Sequence, residues 1–300
     1  MDQDVSRALI ETVVRRTLTE MRTDPERSIR KLVDMALAVS NGHFQQRFFG
    51  IAQRMLEDEN SPYYRLVRDT VSYVDIDRLL RFGMNLGYNS CIEGAMMIRS
   101  LKAEKGIGVP WTQIVTFLKS FDEEQQAHIS RLVGKGESMG IYTWMLFSED
   151  HPLDALPLVS DHPDSAFFLF CNSSGLSREC RERLSELDNV MCVLRFDDDA
   201  EEGSEKLREK GILYSVYFPY GDSDFDQILS GGWFEEAEVL RPVFTCLLAD
   251  RGCSETTINK AAAFAQTALD GQRYRVLPVE FSSVIREVGQ IISGDPEAQP

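Results

Sequence analysis

Five short clusters in this 300-residue sequence have residue types suited to chemistry, and each follows an apolar, β-branched or aromatic run. They are Ser148-Glu149-Asp150-His151, Asn172-Ser173-Ser174-Gly175, Asp197-Asp198-Asp199, Tyr220-Gly221-Asp222 and Asp250-Arg251. In parallel α/β folds, loops at the carboxyl ends of strands converge on one mouth, where ligands and catalytic groups gather. Acidic groups and an imidazole there would bind a polar ligand, coordinate a metal, or act as acid and base. Glu149, Asp150, His151, Asn172, Asp197 and Asp199 are therefore the candidate ligand-binding residues. Asp and Asn also cap helices and close turns, which accounts for the same residues without any ligand. No catalytic residue, metal-ligand set or cofactor is assigned.

Other signatures are missing from the sequence. There is no G-x-S-x-G elbow, no phosphate-binding P-loop and no G-x-G-x-x-G. Of the four histidines (His43, His128, His151 and His162), only His151 sits at a strand end, and no motif points to a Ser–His–acid arrangement. The six cysteines lack CxxC spacing, so zinc is not indicated. Cys171, Cys192 and Cys246 lie inside apolar runs, where cysteine packs as a small hydrophobe.

Strand–helix alternation must position these clusters. The expected strands are Trp111–Phe117, Ile141–Phe147, Ala166–Cys171, Val190–Phe196, Ile212–Phe218, Val243–Leu248 and Tyr274–Leu277, with Pro278 ending the last. Amphipathic segments such as SRECRERLSEL and ETTINKAAAFAQTALDG lie between them. That pattern specifies a parallel sheet, open or closed into a partial barrel. Runs such as AFFLFC are apolar throughout, as befits strands buried on both faces. Before Gly106 the pattern is helical, about six helices with no convincing strand. Asp24-Pro25, Ser61-Pro62 and Asp75 mark helix starts. Gly106-Ile107-Gly108-Val109-Pro110 reads as a linker. The expected organisation is an all-α segment over 1–106, an α/β region over 107–293 and a disordered tail over 294–300. Phe48, Phe49, Met96 and Met97 are candidates for a helical interface or for ordinary core.

Composition bounds the function. Apolar residues make up 43% and charged residues 27%, an ordinary globular balance. The net charge is −16, unevenly spread. Residues 1–110 hold 16 Lys and Arg against 15 Asp and Glu; residues 111–300 hold 16 against 33. So acidic a second part argues against nucleic acid and against an anionic membrane surface. No apolar run of about 18 residues is present to span a bilayer. No secretory leader is visible, so a cytoplasmic protein with reduced thiols is expected.

The stretch from Glu123 to Glu202 resembles radical S-adenosylmethionine (SAM) enzymes of a subgroup with a helical N-terminal extension. Gly140-Ile141-Tyr142-Thr143 is similar to that subgroup's G-I-Y-F strand start. The segment from Asp161-His162-Pro163-Asp164 to Asn172-Ser173 is similar to its K-H-P-D-x-x-F-L-x-x-T-N-G-T run, and Asn189–Asp197 to the strand that follows. Asn85–Ser90 and Val109-Pro110-Trp111 resemble the approach to the barrel, and the likeness covers about 200 of the 300 residues. It implies a partial (β/α) TIM-like barrel with parallel strands, preceded by an all-α N-terminal domain.

The catalytic elements differ. The family's Cys-x-x-x-Cys-x-x-Cys loop belongs between Phe117 and Asp122, where only Leu118-Lys119-Ser120-Phe121 stands. An iron–sulfur cluster needs cysteine thiolates. The Gly-Gly-Glu-Pro loop, which in the family holds the amino group of SAM, is Glu149-Asp150-His151-Pro152 here. The resemblance therefore implies a non-catalytic homologue acting as a binding, scaffold or regulatory subunit, without cluster or cofactor. The partner it implies is a catalytic radical SAM enzyme, or a second copy through the helical domain. The alternative is an enzyme or a metal or small-ligand binder using the acidic strand-end residues.

Overall fold

A computed structural model of the chain describes residues 3–39, 43–117 and 121–294. The expected tail over 294–300 lies outside them but for Gly294, and Phe48 lies outside the described side chains. The helical segment opens with α1 (Gln3–Met21), α2 (Pro25–Val39), α3 (His43–Met55), α4 (Pro62–Tyr73) and α5 (Ile76–Met84). A π-helical turn follows over Asn85–Gly94, and α6 (Ala95–Lys105) closes the segment. The start signals hold. Ser61 accepts from the Tyr63 N–H with Pro62 at the first helical position. Asp24 accepts from the Arg27 N–H and Asp75 from the Asp77 N–H. Gly106, at φ 67°, ends α6 in the left-handed conformation that glycine adopts without strain.

Strands and helices then alternate: β1 (Thr112–Thr116), α7 (Glu123–Glu137), β2 (Thr143–Phe147), α8 (Pro152–Asp161), β3 (Ala166–Cys171), α9 (Arg178–Leu184), β4 (Val190–Arg195) and α10 (Ala200–Glu209). After these come β5 (Tyr214–Tyr220), α11 (Phe225–Ser230), α12 (Gly232–Leu240), β6 (Phe244–Ala249), α13 (Glu255–Asp270), β7 (Leu277–Glu280) and α14 (Phe281–Ser293). The sheet order follows the chain, β1 to β7, and the registered pairs are parallel. This is the topology of a partial (β/α) TIM-like barrel, preceded by helices.

The chain forms two compact units that interleave along the sequence, residues 1–80 with 215–283, and 81–214 with 284–300. In the unit built on 81–214, all six residues of β3 are buried, and Phe147 stacks on Phe170 with centroids 4.2 Å apart. Trp111 donates its indole N–H to the Ile285 carbonyl, 2.9 Å away. Arg99 donates to the Ile291 and Ile292 carbonyls at the end of α14. In the unit built on 215–283, Phe218 stacks on Trp233, and Phe234 packs between Phe264 and Tyr274. There Tyr63 of α4 donates its hydroxyl to the Leu269 carbonyl of α13.

β2 begins at Thr143 rather than Ile141, and two strands run two or more residues beyond their expected ends. Pro278 does not end the last strand. It sits inside β7 opposite Thr245, and the strand runs on to Glu280. β7 is the last strand in the sheet order, and an edge strand tolerates a residue without an N–H. β5 begins at Tyr214 rather than Ile212, because the Ile212 N–H closes the end of α10 on the Leu207 carbonyl. The strand then continues through Pro219, so Tyr220 is its last residue and not a loop residue.

The π turn joins α5 to α6 without a break. It buries Asn85, Asn89, Ser90 and Gly94. A Cβ on Gly94 would lie 2.3 Å from the Gly140 carbonyl oxygen, and Gly140 itself has φ 97°. Backbone meets backbone there, so no side chain can move aside. Gly94→Ala is expected to lower stability by about 1–3 kcal/mol, as overpacking does. Gly83→Ala, where a Cβ meets nothing within 4 Å, should be neutral or stabilising by about 0.4–1 kcal/mol. Denaturant unfolding of the two variants tests this; equal stability would show that the contact yields.

Candidate functional site

At the carboxyl ends of β2 and β3 the chain closes on itself through its polar groups. Ser148, fully buried, receives its backbone bond from β3 by donating its N–H to the Phe170 carbonyl. Its hydroxyl donates to the His151 carbonyl at 2.8 Å, which closes the turn carrying Glu149 and Asp150. The Asn172 N–H donates to the Glu149 carbonyl at 2.9 Å, and its side-chain amide donates to Asp150 Oδ1 at 3.1 Å. Glu149 Oε2 lies 3.7 Å from Arg195 Nη1 at the end of β4. Gly175 packs against this turn, where a Cβ would come within 2.9 Å of the Glu149 carbonyl.

Glu149, Asp150 and Asn172 are thus brought together, with Arg195 as a counter-charge that the sequence reading missed. Arg195 ends a buried strand, and its spacing from the aspartates that follow is the only local signal. His151 is the N-cap of α8, exposed, with no side-chain capping bond. Asp197 Oδ1 accepts from the Asp199 N–H at 3.1 Å, a tight turn that leads into α10. Partial burial pushes the Asp197 carboxyl above its ordinary value. Asn172 Oδ1 and Ser173 Oγ are buried without a hydrogen-bond partner. Buried acceptors of that kind carry a desolvation cost that a ligand donor would relieve. Among the described residues, no three His, Cys, Asp or Glu side chains gather as a metal-ligand set.

A second group lies at the carboxyl ends of β5, β6 and β7. Glu280, only 2% exposed, accepts from the Ser283 N–H at 2.7 Å and the Ser282 N–H at 3.3 Å. The carboxylate therefore sits on the first turn of α14, where the helix dipole favours negative charge. The Tyr220 hydroxyl donates to its Oε1 at 3.4 Å. Burial raises the Glu280 carboxyl above its ordinary value, and raises the thiol of buried Cys246 with Glu280 adding to the shift. Nearby, exposed Asp222 accepts from the Ser254 N–H at 3.0 Å and the Ser254 hydroxyl at 2.7 Å. Hydrogen bonds from Thr257 and Ser254 hold its carboxyl down at about 2. The sequence reading missed Glu280 because it ended the last strand at Pro278.

All six cysteines are free thiols. Cys171, Cys180 and Cys192 are fully buried beside one another. The Cys171 thiol is raised by its hydrogen bond with Cys192 and by burial, and burial pushes Cys180 to about 12. Both are therefore neutral thiols rather than thiolates.

The Glu280 carboxyl carries a pH signature. Its folded pKa lies above the ordinary 4.5. The stability tied to its protonation is therefore complete below that value and falls away as pH rises through the raised folded pKa. Glu280→Gln, which keeps one acceptor, should flatten this decline in thermal unfolding followed from about pH 4 to about pH 8. An unchanged slope would show that Glu280 titrates alike in both states. Among the described residues no helix is long and apolar enough to cross a membrane. No family model matches the chain, and neither the curated proteins nor the solved structures supply a match.

Proposed function

We propose that the chain is a radical-SAM-type partial barrel without cluster chemistry, working in the cytoplasm as a binding or regulatory subunit. The observation that carries this reading is the connection from β1 to α7. Its six residues, Phe117–Asp122, contain no cysteine, and a capping box fixes the start of α7: Asp122 accepts from the Gln125 N–H and Gln125 accepts from the Asp122 N–H. A three-cysteine loop has no place there, and Cys171 and Cys180 are neutral buried thiols. The Glu149 carbonyl, in the loop that would face the amino group of SAM, already accepts from Asn172. The parallel strand order suits such a barrel. Six free thiols suit a reducing compartment.

The partner on this reading is a catalytic enzyme of the same class or a second copy of the chain. Met96 is exposed on α6, while Phe49 and Met97 are half-buried, so Met96 is the residue of that set best placed to meet a partner. One observation favours a second reading, a small polar ligand at the β2–β3 mouth: the unpartnered Asn172 Oδ1 and Ser173 Oγ beside Glu149 and Asp150. Asp197 and Asp199 on the next loop, with His151, would border such a ligand.

Anaerobic reconstitution with iron and sulfide, followed by native mass spectrometry, separates the readings. The expected mass is that of the bare 34.1 kDa chain or a whole multiple of it. Retained iron and sulfide, with release of 5′-deoxyadenosine from SAM, would overturn the proposal. Titration calorimetry with SAM and S-adenosylhomocysteine should give no heat on the first reading. Heat that Asn172→Ala abolishes would establish the second.

A further inference from the structure

At the amino-terminal ends of β2 and β3, the end opposite the strand-end loops, three side chains form a line that no sequence motif announced. Ser130 and Glu137 lie seven residues apart on α7, hence on one helix face two turns apart. His162, the residue closing α8, bridges them. Its Nε2 is 3.0 Å from Ser130 Oγ and its Nδ1 is 3.0 Å from Glu137 Oε2. Glu137 uses its other oxygen to accept from the Ser165 hydroxyl at 2.7 Å. With Nδ1–H donated to the carboxylate, Nε2 is left as the acceptor for the Ser130 hydroxyl proton. Hydroxyl, imidazole and carboxylate in that order are the nucleophile, base and orienting group of acyl-transfer sites.

The imidazole is held in place from behind. The His162 carbonyl accepts from the Asn189 amide at 3.0 Å, and the Ser165 carbonyl accepts from both Asn85 and Asn189. His162 is 8% exposed, while Ser130 is only partly buried.

We propose that Ser130 is an activated nucleophile, with His162 as its base and Glu137 as a positioning residue, and that it takes an acyl group from an activated ester. In this step Ser130 Oγ bonds to the ester carbonyl carbon and the bond to the leaving alkoxide or phenolate breaks. The hydroxyl proton passes to His162 Nε2 and from there to the departing oxygen. The backbone N–H groups around Ser130 lie within the hydrogen-bonded ladder of α7, so they form no oxyanion hole. An ester with a good leaving group is therefore the required class, and the acylated serine accumulates. This site is separate from the strand-end mouth and does not depend on the reading proposed for it.

A fluorophosphonate reproduces the step: the Oγ–phosphorus bond forms and fluoride leaves, with the proton again passing through His162. Intact-protein and peptide mass spectrometry of the full chain should find one adduct, on Ser130. Ser130→Ala should abolish it. His162→Ala should slow it by about a hundredfold or more, the range of general-base assistance, with recovery on adding imidazole. Glu137→Gln, which keeps the side-chain shape, should slow labelling and remove a low-field imidazole N–H proton resonance while the fold persists. No adduct at Ser130, or labelling unchanged in Glu137→Gln and His162→Ala, would overturn the proposal and leave the line of residues as a helix tie.

Discussion

One side-chain amide holds the turn on which much of the 81–214 unit depends. Asn189, just before β4, lies within 3.0–3.2 Å of three carbonyl oxygens, those of Val159, His162 and Ser165. These belong to the end of α8 and the turn into β3, where the last carbonyls of a helix have lost their own partners. Asn85 and Asn89, on the π turn, donate to the Pro163, Ser165 and Asp164 carbonyls of the same segment. A buried carbonyl without a donor costs roughly 1–3 kcal/mol, so these amides permit the turn to be buried at all. The π turn follows from this demand, since it directs Asn85 and Asn89 toward one segment while Gly94 meets Gly140.

The two ends of this unit's strands are consequently different in character. At the amino ends of β3 and β4, the His162 and Ser165 carbonyls are held by Asn85 and Asn189. At the carboxyl ends of β2 and β3, the backbone is also closed, but Asn172 Oδ1 and Ser173 Oγ stay unpartnered. One end is thus tied by amide-to-carbonyl bonds, while the other keeps unspent hydrogen-bonding capacity. The Glu149–Arg195 pair contributes little to stability, because both side chains are well exposed.

In the unit built on 215–283, a buried carboxylate plays the corresponding part. Glu280 ends β7 and starts α14 with the same two oxygens, so strand and helix meet without an intervening loop. Burial opposes its charge, while the helix N–H groups and the Tyr220 hydroxyl favour it; the balance leaves the carboxyl easier to protonate than one in water.

Much of the fold is written in the sequence, because periodicity and capping are local. AFFLFC over Ala166–Cys171 is β3 residue for residue, Ser61-Pro62 starts α4, and Gly106 ends α6. The candidate residues Glu149, Asp150 and Asn172 were legible from their places after strands, since a parallel sheet sends successive strand ends to one side. What escaped was set by distant neighbours. Pro278 reads as a strand breaker until β7 is known to come last in the sheet, where its missing N–H costs nothing. Glu280 lies beyond the expected end of that strand, and its burial beside Tyr220 depends on the packing. Ser130, Glu137 and His162 share no motif, because the spacing that matters is in space. Local chemistry determined which segments became strands, helices and caps. Only packing of α7 against α8 and β3 decided that a serine, a histidine and a glutamate 32 residues apart at most would share two hydrogen bonds.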